Sequence, residues 1–290
     1  MRLLLWLGAP ALLLSGFPLF ALEPGTTGQA NAPSPESSAL AETARAIGLG
    51  REEYIYSVHW GVIKVGRSTL GSPAVVERSS RTAYHLLSSA RTLPFFDTFY
   101  KVRDRNEAWL DVATFQSLGF GKYLREGRFR RHEIVDFDHE AGRFTALVKK
   151  KDGTEITEQG SIKPGAYDVM SALYWIRTQD LVPGKEFSVD VNTRKDWPLK
   201  VRVLKREKVR TPAGEFDCLV VEPMLRDEGI FIQKGKSMRI WFTNDARKIP
   251  VQVKAEVFIG SVRAELEEIV YADPSRTAVG LRSDFTDTPE

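Results

Sequence analysis

The sequence predicts a mainly β protein: a curved antiparallel sheet or open β-barrel with one buried helix. Three observations carry that prediction. Apolar and polar residues alternate at period two through much of the chain from Glu52 onward. Gly, Pro, Asn and Asp turn signals interrupt the alternation at hairpin spacing. The segment Asp168 to Thr178 breaks the period with a run that is apolar on nearly every side, as a buried helix would be.

Composition sets the bounds. With 290 residues and 42% hydrophobic content, the chain can bury a substantial core in one large domain or two small ones. A net charge of +3 lacks the basic excess of a dedicated nucleic-acid binder. One cysteine, Cys218, excludes an intramolecular disulfide and any multi-cysteine zinc site.

Residues 1–21 read as an export signal. Arg2 gives the positive start, Leu3 to Phe20 the apolar run, and Ala21 a small residue at the cleavage point. Gly8, Pro10, Gly16 and Pro18 interrupt the run, which disfavours an uncleaved membrane anchor. Residues 22–50 form a Pro/Gly-containing linker with a short helix over 37–48, where Leu40, Ala44 and Ile47 share one side. Residues 51–272 make the antiparallel β domain, and 273–290 a disordered tail. The expected location is the periplasm.

Within the β domain, Tyr54, Tyr56, Val58 and Trp60 mark a first strand, Gly61 a turn, and Val62 to Leu70 a second strand. Val251, Val253, Ala255 and Val257 face Val262, Ala264 and Leu266 across a Gly260-Ser261 hairpin. Lys151-Asp152-Gly153, Pro183-Gly184, Pro212-Ala213-Gly214 and Asn244-Asp245 are further turns, and the Lys234/Lys236 pair flanking Gly235 another. Hairpin spacing suggests roughly twelve to sixteen strands. Asp168 is the expected N-cap of the helix.

No strong catalytic motif is present: no nucleophile elbow, phosphate loop, HExxH or dinucleotide fingerprint. His132 and His139, with Glu133, Asp136, Asp138 and Glu140, form the densest acid–imidazole group. Strand alternation splits it between two faces, so a solvated hairpin end is expected and no metal or cofactor. Arg125, Arg128, Arg130 and Arg131 form the densest basic group, suited to phosphate, carboxylate or lipid headgroups, although a charged outer face is the commoner role. Phe95, Phe96, Phe99 and Tyr100 concentrate aromatics in one short stretch. Core packing is the usual role for such residues, and lining an apolar cleft is the functional one.

The order of segments resembles the bacterial exported family called domain of unknown function 3108. The resemblance rests on YIYSVHWGVIKVG (54–66), FYKVRDRNEAWLD (99–111), YDVMSALYWIR (167–177), VRTPAGEF (209–216), IWFTNDARKIPVQV (240–253) and IGSVRAEL (259–266). It implies a signal-bearing β protein of the Gram-negative envelope, and carries no established activity or catalytic residues.

The leading expectation is a non-enzymatic periplasmic protein that binds an apolar or lipid-like ligand. Phe95, Phe96, Phe99, Tyr100, Trp109, Tyr174 and Trp175 are the candidate cleft lining. The alternatives are an envelope assembly protein with a protein partner, and a polysaccharide or peptidoglycan hydrolase drawing on Asp104, Asp111, Asp136 or Asp168.

Overall fold

Period-two alternation becomes strand pairing along most of the chain. The computed structural model describes residues 39–40, 42–44, 47–150, 152–224, 237–257 and 259–271. The expected leader, most of the linker, the Lys234/Lys236 turn and the tail lie outside these residues.

Fourteen strands form one antiparallel sheet. The first eight are β1 (Glu52–Trp60), β2 (Ile63–Arg78), β3 (Arg81–Thr92), β4 (Arg103–Asp111), β5 (Ser117–Glu126), β6 (Phe129–Asp138), β7 (Arg143–Lys149) and β8 (Glu155–Ser161). A short helix α1 (Pro94–Tyr100) lies between β3 and β4, and helix α2 (Val169–Thr178) follows β8. The return half is β9 (Glu186–Asn192), β10 (Asp196–Thr211), β11 (Gly214–Met224), β12 (Met238–Thr243), β13 (Pro250–Glu256) and β14 (Ser261–Tyr271).

The pairing order is β8-β7-β6-β5-β4-β3-β2-β1-β14-β13-β12-β11-β10-β9. Every neighbour pair is a hairpin partner except β1 and β14, which join the two halves. The two edge strands, β8 and β9, are therefore successive in sequence, and residues 162–185, including α2, pass between them.

Curvature comes from irregular register. Extra residues sit near Ile55, between Gly71 and Ala74, between Val203 and Lys205, and at Trp241–Phe242. Such bulges bend a strand and sharpen its twist. Gly119 adds to this on β5: its φ is +131°, and a Cβ there would lie 2.0 Å from the Val135 carbonyl oxygen. Only glycine fits both demands.

The bent sheet wraps its main core around α2. Tyr174, Ile176 and Ala172 of the helix pack with Leu86, Leu110, Phe120, Val203 and Phe242 from the strands. Ala44, Ile47 and Leu49 join the same core, with Leu40 against it, which gives the short N-terminal helical segment its packing partner. Each fully buried large side chain contributes about 1.5–3 kcal/mol.

Polar groups fix α2 at both ends. Asp168 caps the N-terminus, accepting from the Met170 and Ser171 amides at 2.8 and 3.1 Å and from the Ser117 hydroxyl of β5 at 2.7 Å. At the C-terminal end Arg177 is 1% exposed and forms an ion pair with fully buried Glu52 of β1. It also donates to the Tyr54 hydroxyl at 3.2 Å and to the Arg247 carbonyl at 3.0 Å. Burial opposes the Arg177 charge, but Glu52 more than offsets it, and the pKa lies above the ordinary arginine value.

Residues after β8 sew the edges together. The Tyr167 amide donates to the Asp190 carbonyl at 2.9 Å, and the Asn192 amide returns to Tyr167 at 2.8 Å. Arg194, in the β9–β10 turn, pairs with Glu158 of β8 at 2.5 Å.

Without Arg177, fully buried Glu52 would keep only the Tyr54 hydroxyl and the more exposed Arg247 guanidinium, 3.4 Å away, so Arg177→Met should destabilise the protein by about 3 kcal/mol. Adding Glu52→Gln should restore part of that loss. Urea unfolding of the two variants checks this. An unchanged midpoint in Arg177→Met would show that the pair does not hold the helix.

Candidate functional site

The helix does not fill the shell. A hollow of about 170 Å³ remains between one stripe of α2 and the inner sheet face. Val169, Met170, Leu173 and Ile176 form the helical wall. Their spacing places them along one side of α2, while Tyr174 points away into packed surroundings and Arg177, on the same side one turn beyond Leu173, reaches Glu52 instead. Met170 and Leu173 are only partly buried. The facing wall comes from Leu70, Leu199, Ile240, Val253 and Ala264 on five different strands.

One end of the hollow is polar. Strand register sets Leu70, Ser88, Asn106, Lys122 and Glu133 side by side in a single cross-strand row. Ser88, Asn106 and Lys122 line the hollow together with Ser68 of β2. Asn106 is 6% exposed, and neither its amide nitrogen nor its oxygen has a hydrogen-bond partner in the protein. The buried Ser68 hydroxyl has none either. A buried polar group without a partner costs about 1–3 kcal/mol, so three such atoms on one wall call for an explanation.

Lys122 is better served. Its ammonium lies 3.5 Å from Glu133 and 4.6 Å from the Phe120 ring centre. Burial pushes the Lys122 pKa down, and Glu133 opposes that shift. Burial would raise the Glu133 carboxyl, but Lys122, Arg131 and Arg194 hold it below its ordinary value.

Further along the inner face, Asp104 and Glu126 are buried side by side, 3% and 2% exposed, with their carboxyls hydrogen-bonded. Asp104 also accepts from the Arg125 amide at 2.9 Å. Burial first, then the Glu126 charge, pushes Asp104 up to about 8. At that value the Asp104 carboxyl is mostly protonated at neutral pH.

None of the seven aromatic residues singled out in the sequence lines this hollow. Phe95, Phe96, Phe99 and Tyr100 form α1, because Pro94 at its first turn starts a helix where a strand would need an amide. Phe95 and Phe99 are 70% and 74% exposed. Trp109 turns away from the main core, packs with Ala83 and Leu118, and lies 3.9 Å beneath Arg78. Tyr174 is fully buried, with Arg177 5.0 Å from its ring centre. Trp175 packs against Tyr167 and Phe187. The structure thus brings the four α1 aromatics together and leaves the other three in separate settings. An all-apolar helix has no polar stripe to announce which side meets open space, so Met170 and Leu173 gave no signal. Asn106 and Ser68 were ordinary polar positions in alternating strands.

The other candidates serve local structure. Asp111 caps the turn after β4, accepting from the Ala113 and Thr114 amides at 2.9 and 2.7 Å, and pairs with Arg81. Asp136 pairs with Arg78 at 2.6 Å, and Asp168 caps α2. His139 bonds the Ser117 carbonyl at 2.7 Å, while His132 packs on Tyr123. Among the described residues, no three His, Cys, Asp or Glu side chains converge as metal donors. Cys218 is fully buried, and burial pushes its thiol up to about 12.

These features define a class: an open β-barrel-like shell closed on an internal helix, with an apolar hollow beside it. The chain belongs to the family of proteins of unknown function DUF3108, whose model matches residues 55–267. Among curated proteins none matches. The fold is shared with a β-barrel-like protein of domain of unknown function DUF1849 from Brucella abortus, at 13% identity and a TM-score of 0.54. That likeness covers 78% of this chain and 99% of the other. A DUF1329 family protein from Desulfovibrio piger aligns at 11% identity and a TM-score of 0.28, covering 89% and 98% of the two chains. No helix of the described residues is long and apolar enough to cross a membrane.

The carboxyl pair makes stability depend on pH. Asp104 is raised in the folded state, so the native protein holds more protons than the unfolded chain between about pH 4 and 8. Stability should therefore fall as pH rises through that window and level off above it. Asp104→Asn should flatten this part of the curve. Thermal unfolding at a series of pH values checks it, and an unchanged slope in the variant would remove the assignment.

Proposed function

We propose that the protein binds an apolar, single-chain amphiphile within the hollow, and performs no chemistry on it. The observation that carries this reading is the pairing of two unmet needs in one space. Met170 and Leu173 keep apolar surface uncovered there, and the buried Asn106 amide lacks a partner beside them. A ligand with a hydrocarbon chain and one hydrogen-bonding head satisfies both. The volume exceeds the roughly 150 Å³ of a cavity known to take up benzene. It suits a chain segment better than a whole diacyl lipid.

The residues at the N-terminus support an envelope location. Arg2, the apolar run to Phe20 and Ala21 have the order of an export signal, and the mature protein would then meet lipid-derived ligands in the periplasm. Of the four carboxylates considered for hydrolysis, Asp111 and Asp136 hold a turn and an ion pair, Asp168 caps α2 at the hollow, and Asp104 is buried against Glu126 outside the hollow's lining.

A fluorescent long-chain fatty acid tests the proposal. Saturable binding is expected in the wild type. Leu173→Trp, which fills the hollow, should weaken it at least tenfold without changing the far-UV circular dichroism. Asn106→Leu should cost about 1–3 kcal/mol of affinity for the acid and much less for a headless hydrocarbon probe. Absence of saturable binding, or binding indifferent to both variants, would sink the reading.

A further inference from the structure

The meander places the β1–β2, β3–β4, β5–β6 and β13–β14 connections at one end of the shell. Two features that the hollow does not use meet there. Helix α1 sits on the β3–β4 connection, and the basic group of residues 125–130 on the β5–β6 hairpin beside it. Contact between them is direct: the Gly127 amide donates to the Lys101 carbonyl at 2.8 Å. At Gly127 a Cβ would come within 2.9 Å of the Tyr100 ring.

We infer that this end of the shell is a docking surface for an anionic lipid bilayer. Its apolar part is large and raised. Phe95 and Phe99 are 70% and 74% exposed, and their ring centres lie 5.6 Å apart. Phe96, 5.2 Å from Phe95, anchors them to the Val58, Val65, Val257 and Val262 cluster at the bases of the neighbouring hairpins. Val62 at the β1–β2 tip is 92% exposed, and Ile63 and Ile259 are each 56% exposed. Apolar side chains from three separate connections thus project at the same end. Soluble surfaces seldom gather so many without a partner.

Charge complementarity selects the partner. Arg125 and Arg130 face each other across the hairpin, with Arg128 exposed at its tip and Lys101 exposed beside α1. Among the described residues none of these four cations forms an ion pair, whereas Arg103 and Arg131 beside them do. Of the nearby acids, Asp97 is engaged by Arg103 and Glu267 by Lys64 and Arg67, while Asp104 and Glu126 are buried beside each other. Arg130 donates to the Gly127 and Phe129 carbonyls at 2.8 Å, which holds its guanidinium at the hairpin tip. Exposed phenylalanines beside arginines without a carboxylate partner match a bilayer interface, where rings enter the headgroup boundary and cations meet lipid phosphates. The surface lies outside the hollow and is independent of any ligand there.

The test uses the full chain labelled with an environment-sensitive maleimide at Phe99→Cys, since native Cys218 is fully buried. A second chain carries the label at Glu140→Cys, in the turn at the opposite end. Residues 1–21 are common to both, so their own affinity for lipid cancels in the comparison. Vesicles are phosphatidylcholine alone or an equal mixture with phosphatidylglycerol. The label at 99 should shift to the blue on the anionic vesicles, far less on the neutral ones, and the label at 140 on neither. Arg128→Glu with Arg130→Glu should lower anionic partition roughly thirtyfold. No shift at 99, an equal shift at both positions, or indifference to charge reversal would overturn the proposal. So would a concentration-dependent dimer abolished by Phe95→Ser and Phe99→Ser with no vesicle response, which would assign the surface to a second copy of the chain.

Discussion

The Glu52–Arg177 ion pair is the constraint on which the interior depends. A sheet that curls around a helix must keep that helix from sliding, rotating or collapsing onto one wall. Apolar contacts alone would not do this, because they are non-directional and a helix apolar on all sides packs almost equally well in several orientations. Arg177 removes that freedom. Its guanidinium reaches Glu52 and Tyr54 of β1 and the Arg247 carbonyl, and a shift of one residue along α2 would leave a buried charge unpaired. Asp168 does the same at the other end through Ser117. With both ends fixed, the stripe of Met170 and Leu173 is held off the facing wall, and the hollow persists.

Topology makes these two anchors effective. β5 and β1 lie four pairings apart in the sheet, so Asp168 and Arg177 tie α2 to well-separated points on the same curved surface. The connection through 162–167 meanwhile holds β8 near β9. The helix therefore acts as a strut across an almost closed shell. Edge strands invite pairing with other chains, and here the side-chain and backbone links across the seam cover part of that risk. The shell remains open at its ends, where hairpin tips rather than strand edges meet the surroundings.

Much of this was legible in the sequence, for identifiable reasons. Strands such as Tyr54–Trp60 and Pro250–Glu256 bury one face, and a half-buried strand must alternate. The helix was legible because Asp168 precedes an apolar run too even for a strand. The aromatic stretch at 95–100 was not legible as a helix: its pattern fits a buried strand equally well, and Pro94 decides the outcome locally. The Glu52–Arg177 pair was invisible because the two residues are 125 positions apart, and nothing in the local pattern of either marks a partner. The orientation of α2, and with it the lining of the hollow, depends on that pair. The site was thus hidden by the same long-range contact that creates it.

The polar wall of the hollow shows how the structure can favour occupancy without catalytic machinery. Lys122 already has a carboxylate partner in Glu133, which Arg131 and Arg194 also hold. Asn106 and Ser68 are different: they are neutral, buried and without protein partners. A neutral amide offers both a donor and an acceptor, and can accept a carboxylate, hydroxyl or amide head with little discrimination. Leaving it unpaired weakens the empty shell, so a bound head contributes stability as well as affinity, through ordinary mass-action linkage. Apolar surface on α2 works in the same direction. Selectivity at such a site would rest mainly on the length and width of the chain that the hollow admits, because the helix anchors leave the walls little room to adjust.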